Sequence, residues 1–414
     1  MRSFKIGLVV LLVLLLPTFL FAGGQSEAPK AKVSFFWALY DGLTEDYRIA
    51  LQDAFMKANP DIEMEIVPVD WNLMETKVTT ALAGGNPPEL SVIGTRWLLE
   101  YMATDSVVEV TDYVSQSTID NIAPGAQEAK FGGKLMALPI VAGARIMTVN
   151  NDITKVVPKT MEEMRQEAIR VNNPPNRYGL IMPGKLYTEL TDFCYYLFAA
   201  GGNFFETKAD GSFGKSTFNG PAGVKALEFM VQLANKDKVV PESYLSLDRM
   251  GSHPLFYEGK AAYVFIGAWV ESAMKAAGST FPVTYGLVPP FQGQKQKSLI
   301  ITDSVAMFKQ AKNLEAAGRF LDFFYQDEWK AKFDELVGFP PITMSAAKLP
   351  QFQTPLYQAL GKAAMTAQGW PMMEGFAQVN DIIWNANVKA FLGQMSPKAA
   401  LDEAAAEIDK MRGM

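Results

Sequence analysis

The chain has 414 residues, with 38 Lys and Arg against 44 Asp and Glu, one His and one Cys. At roughly 100 to 200 residues per domain this length suits two domains, and a net charge of -6 speaks against a nucleic-acid footprint. A single Cys excludes an internal disulfide and a single His excludes a metal site built on paired histidines, so no metal and no cofactor are expected.

The first segment reads as an address. A short basic start, Met1 to Lys5, precedes an apolar run from Ile6 to Phe21 that is broken by Pro17 and followed by Ala22, Gly23 and Gly24. That is the layout of a signal peptide over residues 1–22, too short for the roughly 20 apolar residues of a spanning helix. Residues 23–32 read as a flexible leader. No Cys follows the apolar run to carry a lipid, so an exported form without an anchor is expected; Cys194, far downstream in FCYYLF, reads as a packing residue.

Strand and helix then alternate. Val33 to Trp37 reads as a strand, and Thr44 as the cap of a helix with Tyr47, Leu51 and Phe55 on its apolar face and Asn59-Pro60 at its end. Ile62 to Ile66 alternates as a strand does, Trp71 to Ala83 is helical, and Leu90 to Ile93 is a third strand. Such spacing implies right-handed crossovers and a parallel sheet with helices on both faces. Ligands bind at the carboxyl ends of such strands. The loops placed there hold Trp37, Tyr40, Asp41, Trp71, Thr95, Arg96 and Trp97, a Trp beside polar groups in three consecutive loops. An indole has a flat apolar face and an N–H donor, which suits a ligand apolar on one side and polar at its edge, as sugars are.

Further on, Asn219-Gly-Pro221 starts a helix with Val224, Leu227, Val231 and Ala234 as its stripe, and Ser396-Pro397 starts the last one, with Leu401, Ala404, Ala405, Ile408 and Met411 on its apolar side. Gly211 to Ser216 fails as a phosphate loop because Ala209 stands where a Gly is required, and Ala209 to Ser212 reads as a hairpin tip. Gly251-Ser-His253-Pro254 reads as a loop before a helix, with the imidazole at the surface or in a cap.

The segment FMKANPDIEMEIVPVDWNLMETKVTTALAGGNPPELSVIGTRWLLEYMATDSVVEVTDY, Phe55 to Tyr113, resembles the amino-terminal lobe of the extracellular solute-binding proteins that serve sugar ABC importers, the group that includes maltose-binding protein. Phe131-Gly-Gly-Lys134 to Pro139, Arg145 and Asn150-Asn-Asp152 resemble that family's crossover into a second lobe. Pro158 to Glu163 resembles its next helix start, Phe256 to Ala262 with Gly267-Ala-Trp269 its aromatic-bearing strand, Ser304 to Gln326 the return, and Ser396 to Leu401 the last helix. The chain departs from the family at Asn151, where many relatives have Lys, and at Ser298 to Asp303, which is bulkier than the usual glycine-rich stretch.

The resemblance implies an α/β fold of two lobes, of the type II periplasmic-binding-protein kind, each a mainly parallel sheet flanked by helices, with a ligand cleft between them. Roughly residues 31–141 with 290–331 form one lobe and 142–289 with 332–414 the other. It implies a non-catalytic, monomeric protein that binds a small carbohydrate outside the cytoplasmic membrane, closes about a hinge and delivers the sugar to a permease. Trp37, Tyr40, Asp41, Trp71, Arg96 and Trp97 are the residues expected to grip it from the first lobe. Arg145, Trp269 as stacking platform, Asp303 ahead of a strand beginning at Ser304, and the loop aromatics Phe339 and Trp370 complete the expected site. Two alternatives stand beside it: the same scaffold taking a polyol, a glycerol phosphate or another small polar solute, and a secreted carbohydrate-active enzyme.

Overall fold

Val33, Phe35 and Trp37 lie two residues apart, so a strand sends all three to one face and commits that face to burial. The computed structural model describes residues 29–414 apart from 124, 125, 127, 187–191 and 209–211, and in it the strand runs Ala31–Ala38 with all three side chains at most 1% exposed. The expected signal peptide, most of the leader and the hairpin tip lie outside the described residues.

The strand pairs in parallel with Ile62–Val69, from Ala31 opposite Ile62 to Ala38 opposite Val69, and with Leu90–Gly94 on its other side. The connecting helices Glu45–Ala58 and Trp71–Ala83 begin where expected. The Thr44 hydroxyl accepts from the Tyr47 N–H at 3.3 Å and the Asp70 carboxylate from the Asn72 N–H at 2.8 Å, each satisfying an otherwise orphaned donor. Asn59 ends the first helix, ahead of Pro60.

The long strand Ser298–Met307 completes this sheet. It runs antiparallel to Leu90–Gly94 and to Leu138–Ala144, and parallel to the short Ala367–Gln368. A second sheet holds, in order, Val283–Gly286, Ile146–Asn150, Ala261–Ile266 and Tyr178–Ile181. Only its last pairing is parallel, so both sheets are mixed and the second is mainly antiparallel.

Two buried cores follow from the alternation of side chains. One gathers Phe35, Trp37, Phe55, Phe320, Phe324 and Phe333 behind the first sheet and reaches Val264 and Ile266 on one face of the second. The other gathers Phe193, Phe198, Phe204, Phe229, Ile383 and Leu401 against Tyr263 and Phe265 on the opposite face. Trp37 meets Phe35, Phe324 and Phe333 edge-on at 4.8, 5.2 and 5.4 Å, and each such ring contributes about 1.5 to 3 kcal/mol by burial. Ser298–Met307 joins the cores: Leu299 and Ile301 are buried in the second, Val305 to Met307 in the first. The return expected at residue 332 falls inside the helix Asp327–Val337, whose Phe333 and Val337 belong to the first core.

The helix expected from Asn219 begins at Pro221, capped by Gly220, while the Asn219 amide donates to Asp402 at 2.8 Å. Its buried residues are Gly223, Ala226, Leu227, Phe229 and Met230, because Phe193–Ala199 and Pro397–Met411 pack on it from two sides. In Pro397–Met411 the expected face is buried as far as Ile408, and Met411 is exposed.

Candidate functional site

A cavity of about 180 Å³ lies between the loops at the carboxyl ends of the first sheet and the helices covering the second. On the first side, Leu39, Tyr40 and Asp41 follow the strand Ala31–Ala38, and Asp70 and Trp71 follow Ile62–Val69. Tyr40 and Trp71 are tilted together with ring centroids 6.0 Å apart, and Trp71 stacks on Trp97 at 5.4 Å.

Asp303 is the anchor of this wall. It lies inside Ser298–Met307 rather than ahead of a strand, at the point where the register against Leu138–Ala144 shifts between Asp303 and Ser304. Such a bulge re-aims a side chain, and here it turns the carboxylate toward the cavity. Tyr40 Oη donates to Asp303 Oδ2 at 3.0 Å, and Arg96 Nη1 stands 4.0 Å from Oδ1. Burial, and then the Asp303 charge, push the Tyr40 hydroxyl well above the usual phenol range, so it stays a donor. Burial also raises the Asp41 carboxyl, opposed by Arg249 across the cavity.

The second wall is the helix Arg249–Tyr257. The Asp248 carboxylate caps it by accepting from the Gly251 N–H at 2.9 Å, and Arg249, Met250, His253, Pro254 and Tyr257 form one face toward the cavity. His253 therefore belongs to no surface loop; it is 4% exposed, and burial together with Arg249 and Arg145 lowers its pKa well below 6.5. The imidazole is neutral. Trp269 lies under the Arg145 guanidinium at 4.6 Å and that of Arg249 at 5.5 Å, so cations cover the ring expected to be the stacking platform.

Phe339 and Ile301 complete the lining. The helix Asp327–Val337 ends on Gly338 at φ +76, where an added Cβ would stand 2.8 Å from the Ala268 carbonyl. Only glycine fits that left-handed, crowded turn, which delivers the Phe339 ring to within 6.0 Å of both Tyr40 and Trp269. Gly42 does the same for the opposite loop: its Cβ would meet Leu336 O at 2.3 Å and Ser272 Cβ at 2.7 Å. The two halves touch at that point.

Of the residues expected from the sequence, Tyr40, Asp41, Trp71, Arg145, Trp269, Asp303 and Phe339 line the cavity, and Trp37, Arg96, Trp97 and Trp370 do not. Trp37 lies within a strand, opposite Pro68, and points into the first core. Arg96 is 2% exposed behind the wall, over the Trp97 ring at 5.0 Å and 4.0 Å from the Asp303 carboxylate. Trp370 is stacked on Phe204 in the second core. Sequence reasoning started this helix after Pro254 and so missed the lining residues Arg249, Met250, His253, Pro254 and Tyr257, although Asp248 as a cap and the four-residue spacing of Arg249, His253 and Tyr257 signalled the earlier start.

Rings on both sides, three aspartates and two arginines offer flat apolar faces edged with acceptors and donors, an arrangement that fits a small polyhydroxylated solute. Among the described residues no three acidic, His or Cys side chains cluster as metal ligands.

The family profile described as bacterial extracellular solute-binding protein matches residues 50–363. A putative binding protein of Brucella abortus is 28% identical over 393 residues, 93% of this chain and 94% of that one. Among solved structures, maltose-bound T. maritima MalE3 superposes with a TM-score of 0.82 at 21% identity, covering 92% of this chain and 100% of that one. A solute-binding protein from Thermotoga lettingae bound with α-D-tagatose superposes at 0.83 and 20% identity, covering 92% and 99%.

Proposed function

The chain belongs to the bacterial extracellular solute-binding proteins, and from that premise we propose that it binds a small carbohydrate outside the cytoplasmic membrane and hands it to the permease of an ABC importer. The observation that carries this reading is the cavity itself, lined from both sides by rings and by charged groups that hold hydroxyls in place. Tyr40, Asp303 and Trp71 grip from one wall, and Arg145, Arg249, His253 and Trp269 from the other. A solute touching both walls stabilises the closed arrangement over an open one, and only such differential affinity can drive closure.

Export by the leading segment and action as a monomer belong to the same proposal. No described helix is long and apolar enough to cross a membrane. The protein carries its solute and does not turn it over. A thermal-shift screen of the chain against sugars, polyols and amino acids tests this: a sugar at 100 times its Kd adds about 2.7 kcal/mol of stability. Stabilisation by amino acids alone would sink the carbohydrate reading, and release of product from an oligosaccharide would sink the non-catalytic one.

A phosphorylated polyol is the second reading, favoured by Arg145 and Arg249 on one wall. Asp41, Asp70 and Asp303 on the other weigh against an anion. Affinity that falls with added salt would identify the anion, since exposed charge is screened within about 10 Å at 0.1 M.

A further inference from the structure

We infer that His253 reads the solute: its Nε2 hydrogen-bonds one hydroxyl of a single sugar ring or short linear polyol. The inference rests on the carbohydrate reading above and names the residue and the ligand size. His253 is 4% exposed and lines the cavity, yet its Nε2 meets no hydrogen-bond partner among the described residues. Buried polar atoms are ordinarily bonded, and leaving one unpaired is costly. Nε2 itself has under 1 Å² of exposed surface, so the solute supplies the missing partner once the imidazole turns toward the cavity. Burial first, then Arg249, one turn earlier on the same helix, and Arg145, from the second sheet's side, keep a proton off the ring. A neutral imidazole presents one donor and one acceptor and can exchange them by tautomerism, so it meets a hydroxyl in either sense.

Size follows from the volume. About 180 Å³ falls below the 300 Å³ or so at which pockets for drug-sized ligands begin. Phe339 and Trp269, 6.0 Å apart, close one side, where Ser272 Oγ donates to the Trp269 carbonyl and the Asp41 loop passes against it. A single ring is the size this volume suits.

The test is calorimetric titration of the full chain with hexoses, pentoses, pentitols and maltotriose, followed by the deoxy analogues of the best binder. We expect a monosaccharide or pentitol to bind and maltotriose to bind at least tenfold more weakly. His253→Phe should lose about tenfold in affinity, with His253→Gln between the two. One deoxy analogue should lose about tenfold on the wild type and nothing further on His253→Phe. Melting of the unliganded variants confirms that they fold. Affinities of both variants within twofold of wild type, with no analogue singled out, would overturn the assignment of His253 and leave the carbohydrate reading standing. Preference for maltotriose would overturn the size. A wild-type chain that binds none of these compounds would remove the carbohydrate reading and this inference with it.

Discussion

Replacing Lys330 by Met should cost the fold about 3 to 5 kcal/mol at pH 8, because it leaves a buried carboxyl without its partner on the helix that positions Phe339. Lys330 and Asp334 stand one turn apart on Asp327–Val337, both side chains are 0% exposed, and Nζ donates to Asp334 Oδ1. Phe333, between them, packs under Nζ at 5.1 Å and carries the helix into the first core. Burial dominates for both partners: it lowers Lys330 and pushes the Asp334 carboxyl from 3.8 up to about 7, with Lys330 opposing the latter. Removing the lysine removes that opposition, and the carboxyl climbs further. In the unfolded chain it ionises near 3.8, so from there up to the raised value the folded state holds the extra proton. Stability then falls as pH rises, by up to about 1.4 kcal/mol per unit. In the wild type this decline ends near 7; in Lys330→Met it continues above 7, so the variant is least affected at pH 5 and most at pH 8. The double variant Lys330→Met, Asp334→Leu should return to within about 1 kcal/mol of wild type or exceed it, since apolar replacement of a buried ion pair is neutral or stabilising. Urea unfolding followed by circular dichroism at pH 5 and pH 8 measures all three chains. A single variant losing less than about 1 kcal/mol at pH 8, or a double variant no better than the single, would refute the reasoning.

Trp269→Ala removes the ring on which both guanidinium groups rest, and the Kd for the solute should rise at least tenfold, about 1.4 kcal/mol, in a titration. Gly338→Ala forces a Cβ to 2.8 Å from the Ala268 carbonyl at positive φ; we expect a loss of about 1 to 2 kcal/mol on thermal unfolding and weaker binding as Phe339 shifts. Because the folded pKa of His253 lies below the unfolded 6.5, the unfolded chain takes up the proton first and stability falls as pH drops below 6.5. His253→Gln should flatten the dependence of melting temperature on pH between about 5 and 6.5, and an unchanged slope would contradict this.

What was legible in the sequence was local. Thr44 and Ser396 cap helices by bonds to amides three residues on, so the signal and its cause share one stretch of chain. The rim residues Tyr40, Asp41 and Trp71 were legible because a parallel strand order fixes which loops share an edge. Trp37 was misplaced by one structural step: the strand continues to Ala38, so the same period that buries Val33 and Phe35 buries the indole. Trp370 could be placed only by Phe204, which is distant in sequence. Gly251, Ser252 and Pro254 are poor helix formers, and the helix Arg249–Tyr257 persists through packing of Phe256 against the second sheet. Tertiary contact overrode propensity there and put His253 in the cavity wall. Asp303 was found, but the bulge that aims it depends on Leu138–Ala144, whose pairing no local pattern encodes.

The most direct measurement is a crystal structure of the chain grown with the sugar or polyol that most raises its melting temperature. The account predicts one ligand molecule in the cavity, with Asp303 or Tyr40 bonding it from one wall and His253, Arg145 or Arg249 from the other. A ligand bound outside the cavity, or touching one wall alone, would contradict it.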